Sequence, residues 1–205
     1  MLVGSLSPVS CLEKLQTLSV AGNILGKPIL TNPKLQPGRH QQELESIPEL
    51  PASLKSLNLS SNFLSVVPKH VLSAGMTKLE KLDLSFNHLA TVPAEISALV
   101  NLKELNLDGN MIVALPDEVG NLKKLKVISL RDNRLRVTST IFSKKNPQPL
   151  PKPLFTDTLL IDLNLHGNQL TNTQVNQFDG FQEFLDRRQK VKSKTMTNLD
   201  VCGLE

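Results

Sequence analysis

The frame Leu-x-x-Leu-x-Leu-x-x-Asn-x-Leu recurs six times along this chain, with conservative swaps, and no other feature restricts the fold as strongly. It reads Leu15, Leu18, Val20, Asn23, Leu25; Leu54, Leu57, Leu59, Asn62, Leu64; and Leu79, Leu82, Leu84, Asn87, Leu89. It continues as Leu102, Leu105, Leu107, Asn110, Ile112; Leu125, Ile128, Leu130, Asn133, Leu135; and Leu160, Leu163, Leu165, Asn168, Leu170. The copies start 39, 25, 23, 23 and 35 residues apart, which sets a basic period of 23. A supersecondary unit repeated at such a period cannot bury its apolar face alone and must stack on its neighbours.

Each part of the frame has a physical reading. Leu-x-Leu is a short strand with one apolar face. The asparagine amide both donates and accepts, so it can satisfy the turn that leaves the strand. Asn23, Asn62, Asn87, Asn110, Asn133 and Asn168 are therefore expected to form a structural ladder between coils. A Leu-x-x-Φ-Pro segment follows several copies (Leu44 to Pro48, Leu64 to Pro68, Leu89 to Pro93, Ile112 to Pro116). Proline lacks an N–H and suits a convex segment outside the sheet. Apolar residues at period three, Ile96, Leu99, Leu102 and Val119, Leu122, Leu125, suggest a short helical or 3₁₀ return limb. These frames resemble those of the leucine-rich repeat superfamily. The expected fold is α/β: a right-handed leucine-rich-repeat solenoid, a horseshoe arc with a parallel concave sheet.

Residues 1–14 read as a partial N-terminal repeat or an improvised cap, because Val9, Leu12 and Leu15 match a return limb whose strand would precede Met1. Either that stretch caps the array, or the natural chain is longer, or a partner covers the end. Residues 15–172 hold the six repeats, with insertions at 26–43 and 138–158. Their proline and polar content predicts extended or mobile loops on the convex side or an edge. The prolines at 147, 149, 151 and 153 are spaced by two, so they do not make a Pro-x-x-Pro ligand. Residues 173–205 read as a capping helix and basic tail, with Val175, Phe178, Phe181, Phe184 and Leu185 at helical spacing over the last coil.

The end of the chain carries a finer resemblance. Leu163-Asn-Leu-His-Gly-Asn168, the stretch Gln177 to Arg188, the lysines that follow and Leu199-Asp-Val resemble the terminus of small intracellular proteins similar to leucine-rich repeat-containing protein 57. The repeats are also similar to those of plant intracellular Ras-group-related repeat proteins, and the likeness runs from about Val9 to Val201 apart from the insertions. It implies a cytoplasmic protein–protein scaffold, with signal transduction as its setting, and no catalytic residues.

Composition supports a binding protein more than an enzyme. The net charge of +4 is too mild to indicate a nucleic-acid partner, and 7 Phe with no Trp or Tyr leave few rings for base stacking. Cys11 and Cys202 lie at opposite ends of the array, too few and too far apart for a disulfide scaffold. His40, His70, His88 and His166 sit in different repeats without metal-ligand spacing, and no nucleophile elbow or phosphate-binding loop occurs. No metal, cofactor or catalytic residue is assigned. The expected partner is a protein, bound on the concave face by Asp83, Phe86, Asn106, Asp108, Arg131, Asp132, Asn164 and His166. Phe86 is the apolar anchor of that strip, and Asp108, Arg131 and His166 are expected side by side across neighbouring strands. The alternative is RNA or an anionic surface held by the basic tail, Arg187, Arg188, Lys190, Lys192 and Lys194.

Overall fold

Every Leu-x-Leu segment forms a three-residue strand: β1 (Thr17–Ser19), β2 (Ser56–Asn58), β3 (Lys81–Asp83), β4 (Glu104–Asn106), β5 (Val127–Ser129) and β6 (Asp162–Asn164). This computed structural model describes residues 12–23, 25, 50–69, 71–137 and 148–200, with side chains of the last helix through residue 193. The strands pair in parallel, in chain order, as one six-stranded sheet. Their register aligns Leu18, Leu57, Leu82, Leu105, Ile128 and Leu163 in one row. The frame leucines of the central coils are buried, and together they make a single continuous core. The structure is an α/β leucine-rich-repeat solenoid.

From the second coil on, the asparagine ties its coil to the one before, whereas Asn23 donates to the Val20 and Ala21 carbonyls of its own coil. Asn110 Nδ2 donates to the carbonyls of Leu84, Leu107 and Asp108 at 3.0, 3.0 and 3.2 Å, while its Oδ1 accepts the Leu89 N–H at 3.0 Å. Asn62, Asn87, Asn133 and Asn168 repeat the inter-coil bonds. Asn62, Asn87, Asn110 and Asn133 are all buried. A buried amide satisfying four backbone groups replaces the hydrogen bonds that a longer strand would have made.

On the convex side, Pro93 and Pro116 cap short 3₁₀ turns at Ala94–Ala98 and Asp117–Asn121. The second insertion departs from expectation here. Its described part, from residue 148, is no extended loop: Pro151 caps α1 (Lys152–Thr156), and Leu150, Leu154 and Phe155 are fully buried. The reason is legible in the chain. Leu150-Pro151-x-x-Leu154 has the spacing of Val92-Pro93-x-x-Ile96 and Leu115-Pro116-x-x-Val119, so it is the return limb of the fifth coil. Proline density hid that match. Residues 26–43 and 138–147, Cys11, Cys202 and the segment around Leu44 and Pro48 lie outside the described residues.

The C-terminal segment also differs from the single capping helix expected from residue 173, because two helices form there. Thr171 opens α2 (Asn172–Asn176) through a reciprocal capping box with Gln174. The chain turns at Gly180 (φ +83°), and α3 (Phe181–Asp200) follows. Phe181 and Phe184 pack on Phe155, with ring centroids at 5.5 and 6.2 Å. The buried rings of α3 thus pack against α1. Leu163, Leu165 and Leu170 of the last coil stay only half-buried.

Candidate interaction surface

The concave face is assembled by strand register. One column runs Thr17, Ser56, Lys81, Glu104, Val127, Asp162, and the next runs Ser19, Asn58, Asp83, Asn106, Ser129, Asn164. The second column is largely committed to the backbone. Asn58, Asn106 and Asn164 each accept, through Oδ1, the N–H two residues ahead, at 2.8 to 3.1 Å. Asp83 Oδ1 accepts both the N–H and the hydroxyl of Ser85, at 2.9 and 2.6 Å. These side chains close Asx turns at the strand ends. Asp83, Asn106 and Asn164, all expected on the binding strip, therefore have a local structural partner.

The expected charge ladder is rearranged as well. Asp108 Oδ1 accepts the backbone N–H of Arg131 at 2.7 Å, while the Arg131 guanidinium pairs with Asp132 at 3.1 Å. Asp108 is nearer to a backbone donor than to a charge, and a backbone bond costs no long-side-chain entropy. Arg131, Asp132 and His166 are exposed. The first column holds a pair absent from the expected strip: Lys81 and Glu104 meet across β3 and β4 at 2.8 Å. The alternation of the frame would have located them, since they share the outward parity of Asp83 and Asn106. Lys103 and Glu80 pair at the neighbouring position, also at 2.8 Å, and that contact holds the Glu80 carboxyl below its ordinary pKa.

A third row lies just before the ladder asparagines. Gly22, Ser61, Phe86, Gly109, Asp132 and Gly167 all have positive φ, between 52° and 75°. This left-handed position suits glycine and disfavours a bulky side chain. Phe86 occupies it at φ +53° and is 61% exposed. Its ring lies over Gly109, where a Cβ would stand 2.6 Å from Cδ1. The Asp132 carboxylate covers Gly167 in the same way. Beyond the asparagines, Phe63 and His88 meet edge to face at 5.7 Å.

The basic tail separates into different roles. Arg187 is not a free surface cation: it donates to the carbonyls of Leu160 and Phe155 at 2.9 and 2.7 Å, fastening α3 to α1 and the last coil. Arg188 is half-buried, Lys190 and Lys192 are exposed, and the Lys194 side chain lies outside the described residues. Among the described residues, no three His, Cys, Asp or Glu side chains gather as a metal site, and no helix is long and apolar enough to cross a membrane.

Comparison with known proteins agrees with the coil geometry. Residues 52–112 match the family model described as leucine rich repeat. A solved leucine-rich repeat protein of Leptospira interrogans is similar at 31% identity over 78% of this chain, with a TM-score of 0.54. An internalin of Listeria monocytogenes is similar in fold at 22% identity over 87% of this chain, also with a TM-score of 0.54. The chain spans 33% of the first protein's length and 42% of the second's. No curated protein matches it. Leucine-rich repeat folds are generally protein-interaction scaffolds. The ladder, the parallel sheet and these matches together place the chain in the leucine-rich repeat superfamily.

Proposed function

We propose that the chain is a non-catalytic scaffold that binds a protein partner on its concave face, with Phe86 as the apolar anchor. The observation that carries this reading is the exposed Phe86 ring in a left-handed backbone position. Its conformation costs about 1–2 kcal/mol relative to glycine, and contact with Gly109 still leaves the ring 61% exposed. An aromatic side chain seated on a rigid sheet is suited to a desolvated contact centre. Lys81, Glu104, Arg131, Asp132 and His166 form the polar surround, while Asp83, Asn106, Asp108 and Asn164 hold the strand ends in shape. A cytoplasmic, signalling setting belongs to this reading on the likeness of the chain's end, Leu163 to Val201, alone, since no curated protein matches the chain. For the alternative, an anionic ligand on the tail, the described residues offer exposed Lys190 and Lys192 and half-buried Arg188, since Arg187 is bonded to two carbonyls.

Affinity capture with mass spectrometry tests the reading, using the full chain, Phe86→Asn and Arg131→Glu. Asparagine tolerates the left-handed position, so the first variant removes the ring without unfolding the coil. The expected result is loss of the same bound protein in both variants with no fall in melting temperature. Identical capture by all three chains would refute the concave reading.

A further inference from the structure

The last coil leaves hydrogen-bonding groups and apolar surface in the register that every earlier coil uses to receive the next. At the junction above it, the N–H groups of Leu130 and Asp132 donate to the Asn164 and His166 carbonyls at 2.9 and 2.8 Å. The Leu135 N–H donates to Asn168 Oδ1 at 3.0 Å, and the Lys126 carbonyl accepts the Ile161 and Asp162 N–H groups. The equivalent groups of the last coil are the N–H groups of Leu165, Gly167 and Leu170 and the Ile161 carbonyl. No seventh coil meets them among the described residues. Here the core leucines also change character: Ile128, Leu130 and Leu135 are fully buried, whereas Leu163, Leu165 and Leu170 are half-buried.

These leucines floor a groove of about 390 Å³, walled by Phe184 and Leu185 of α3. Arg188 and His166 stand in its lining, and no carboxylate does. We infer that this groove accepts an extended segment of a partner protein as a seventh parallel strand. Main-chain bonds to the β6 edge would supply affinity, and alternate side chains would supply selection. The coil register defines the segment's apolar residues over Leu163 and Leu165 and an asparagine three residues later beside Leu170, while the Arg188 cation in a lining without carboxylates favours an acidic side chain on the segment. This site lies at the end of the array, away from Phe86 itself, and shares His166 with the polar surround of that ring.

The chain itself provides the probe. A fluorescent peptide with the sequence of residues 102–112, Leu-Lys-Glu-Leu-Asn-Leu-Asp-Gly-Asn-Met-Ile, carries that pattern. Within the array, the N–H groups of Lys103 and Glu104 donate to the Glu80 carbonyl, so in the groove they would face the Ile161 carbonyl. Fluorescence anisotropy with the full chain should show saturable binding. Peptide N-methylated at those two positions should bind at least tenfold more weakly, and Arg188→Glu should weaken binding about fivefold. Phe86→Asn should leave peptide binding intact, so failure of the concave reading and failure of this one are distinguishable. Absence of binding, or equal binding of the N-methylated peptide, overturns the proposal. Sedimentation that shows only self-association, with no peptide uptake, overturns it in favour of a second copy of the chain.

Discussion

At the scale of single residues, the sharpest stability test is Asn110. Its amide satisfies the Leu89 N–H and three carbonyls in a buried position. Asn110→Ala strands these groups away from water, and each orphaned group costs about 1–3 kcal/mol before relaxation. A loss of about 2–4 kcal/mol in urea unfolding is expected. Aspartate at this position keeps the acceptor but removes the donors and buries a charge, so it should be no better. Phe86 works in the opposite direction. Phe86→Asn relieves a left-handed strain and should hold or raise the melting temperature, read by calorimetry, while partner capture falls. Asparagine's role follows from its place in the frame; the backbone cost at Phe86 becomes visible only with φ in hand.

Among the elements, α1 and α3 depend on two contacts that residue type alone does not advertise. Gly120 lies against Pro153 so closely that a Cβ would collide with the ring and its backbone. Gly120→Ala must therefore push α1 off the 3₁₀ turn at Asp117–Asn121, and overpacking of this kind costs about 1–3 kcal/mol. Ala98→Gly, at the end of the equivalent turn one coil earlier, provides a control for a change of similar size without that collision. Arg187 bonds two carbonyls across the α3–α1 junction. Arg187→Ala should lower stability by about 1.5–3 kcal/mol and expose Phe181 and Phe184, detectable as added binding of a hydrophobic dye. Arginine in a basic run reads as surface charge in the sequence, since the carbonyls it serves lie 27 and 32 residues away.

For the whole molecule, a stack with one shared core makes the cost of a truncation depend on its place in the array. Leu105→Ala, in the fully packed fourth coil, should cost about 2–5 kcal/mol, and Leu163→Ala at the half-buried end distinctly less. Equal losses in thermal melts would mean that the last coil is as enclosed as the fourth. Acid should loosen the array by another route. The Thr156 hydroxyl and Lys123 lower the Asp157 pKa, as Lys103 lowers that of Glu80. A carboxylate with a depressed folded pKa adds stability above its unfolded value, about 4, and loses it as pH falls through the folded value. The decline should be small and salt-sensitive, because both groups are exposed. The six strands, their parallel order, the asparagine ladder and the 3₁₀ limbs were all legible in the residues, because each follows from a local period of 23 and from bonds between equivalent positions. Whether Asp108 meets a charge or a backbone N–H, where the proline-rich fifth limb packs, and which element receives the rings of α3 were settled only in three dimensions. Those outcomes depend on competition among distant groups for the same buried volume and the same hydrogen bonds, and no single repeat contains both competitors.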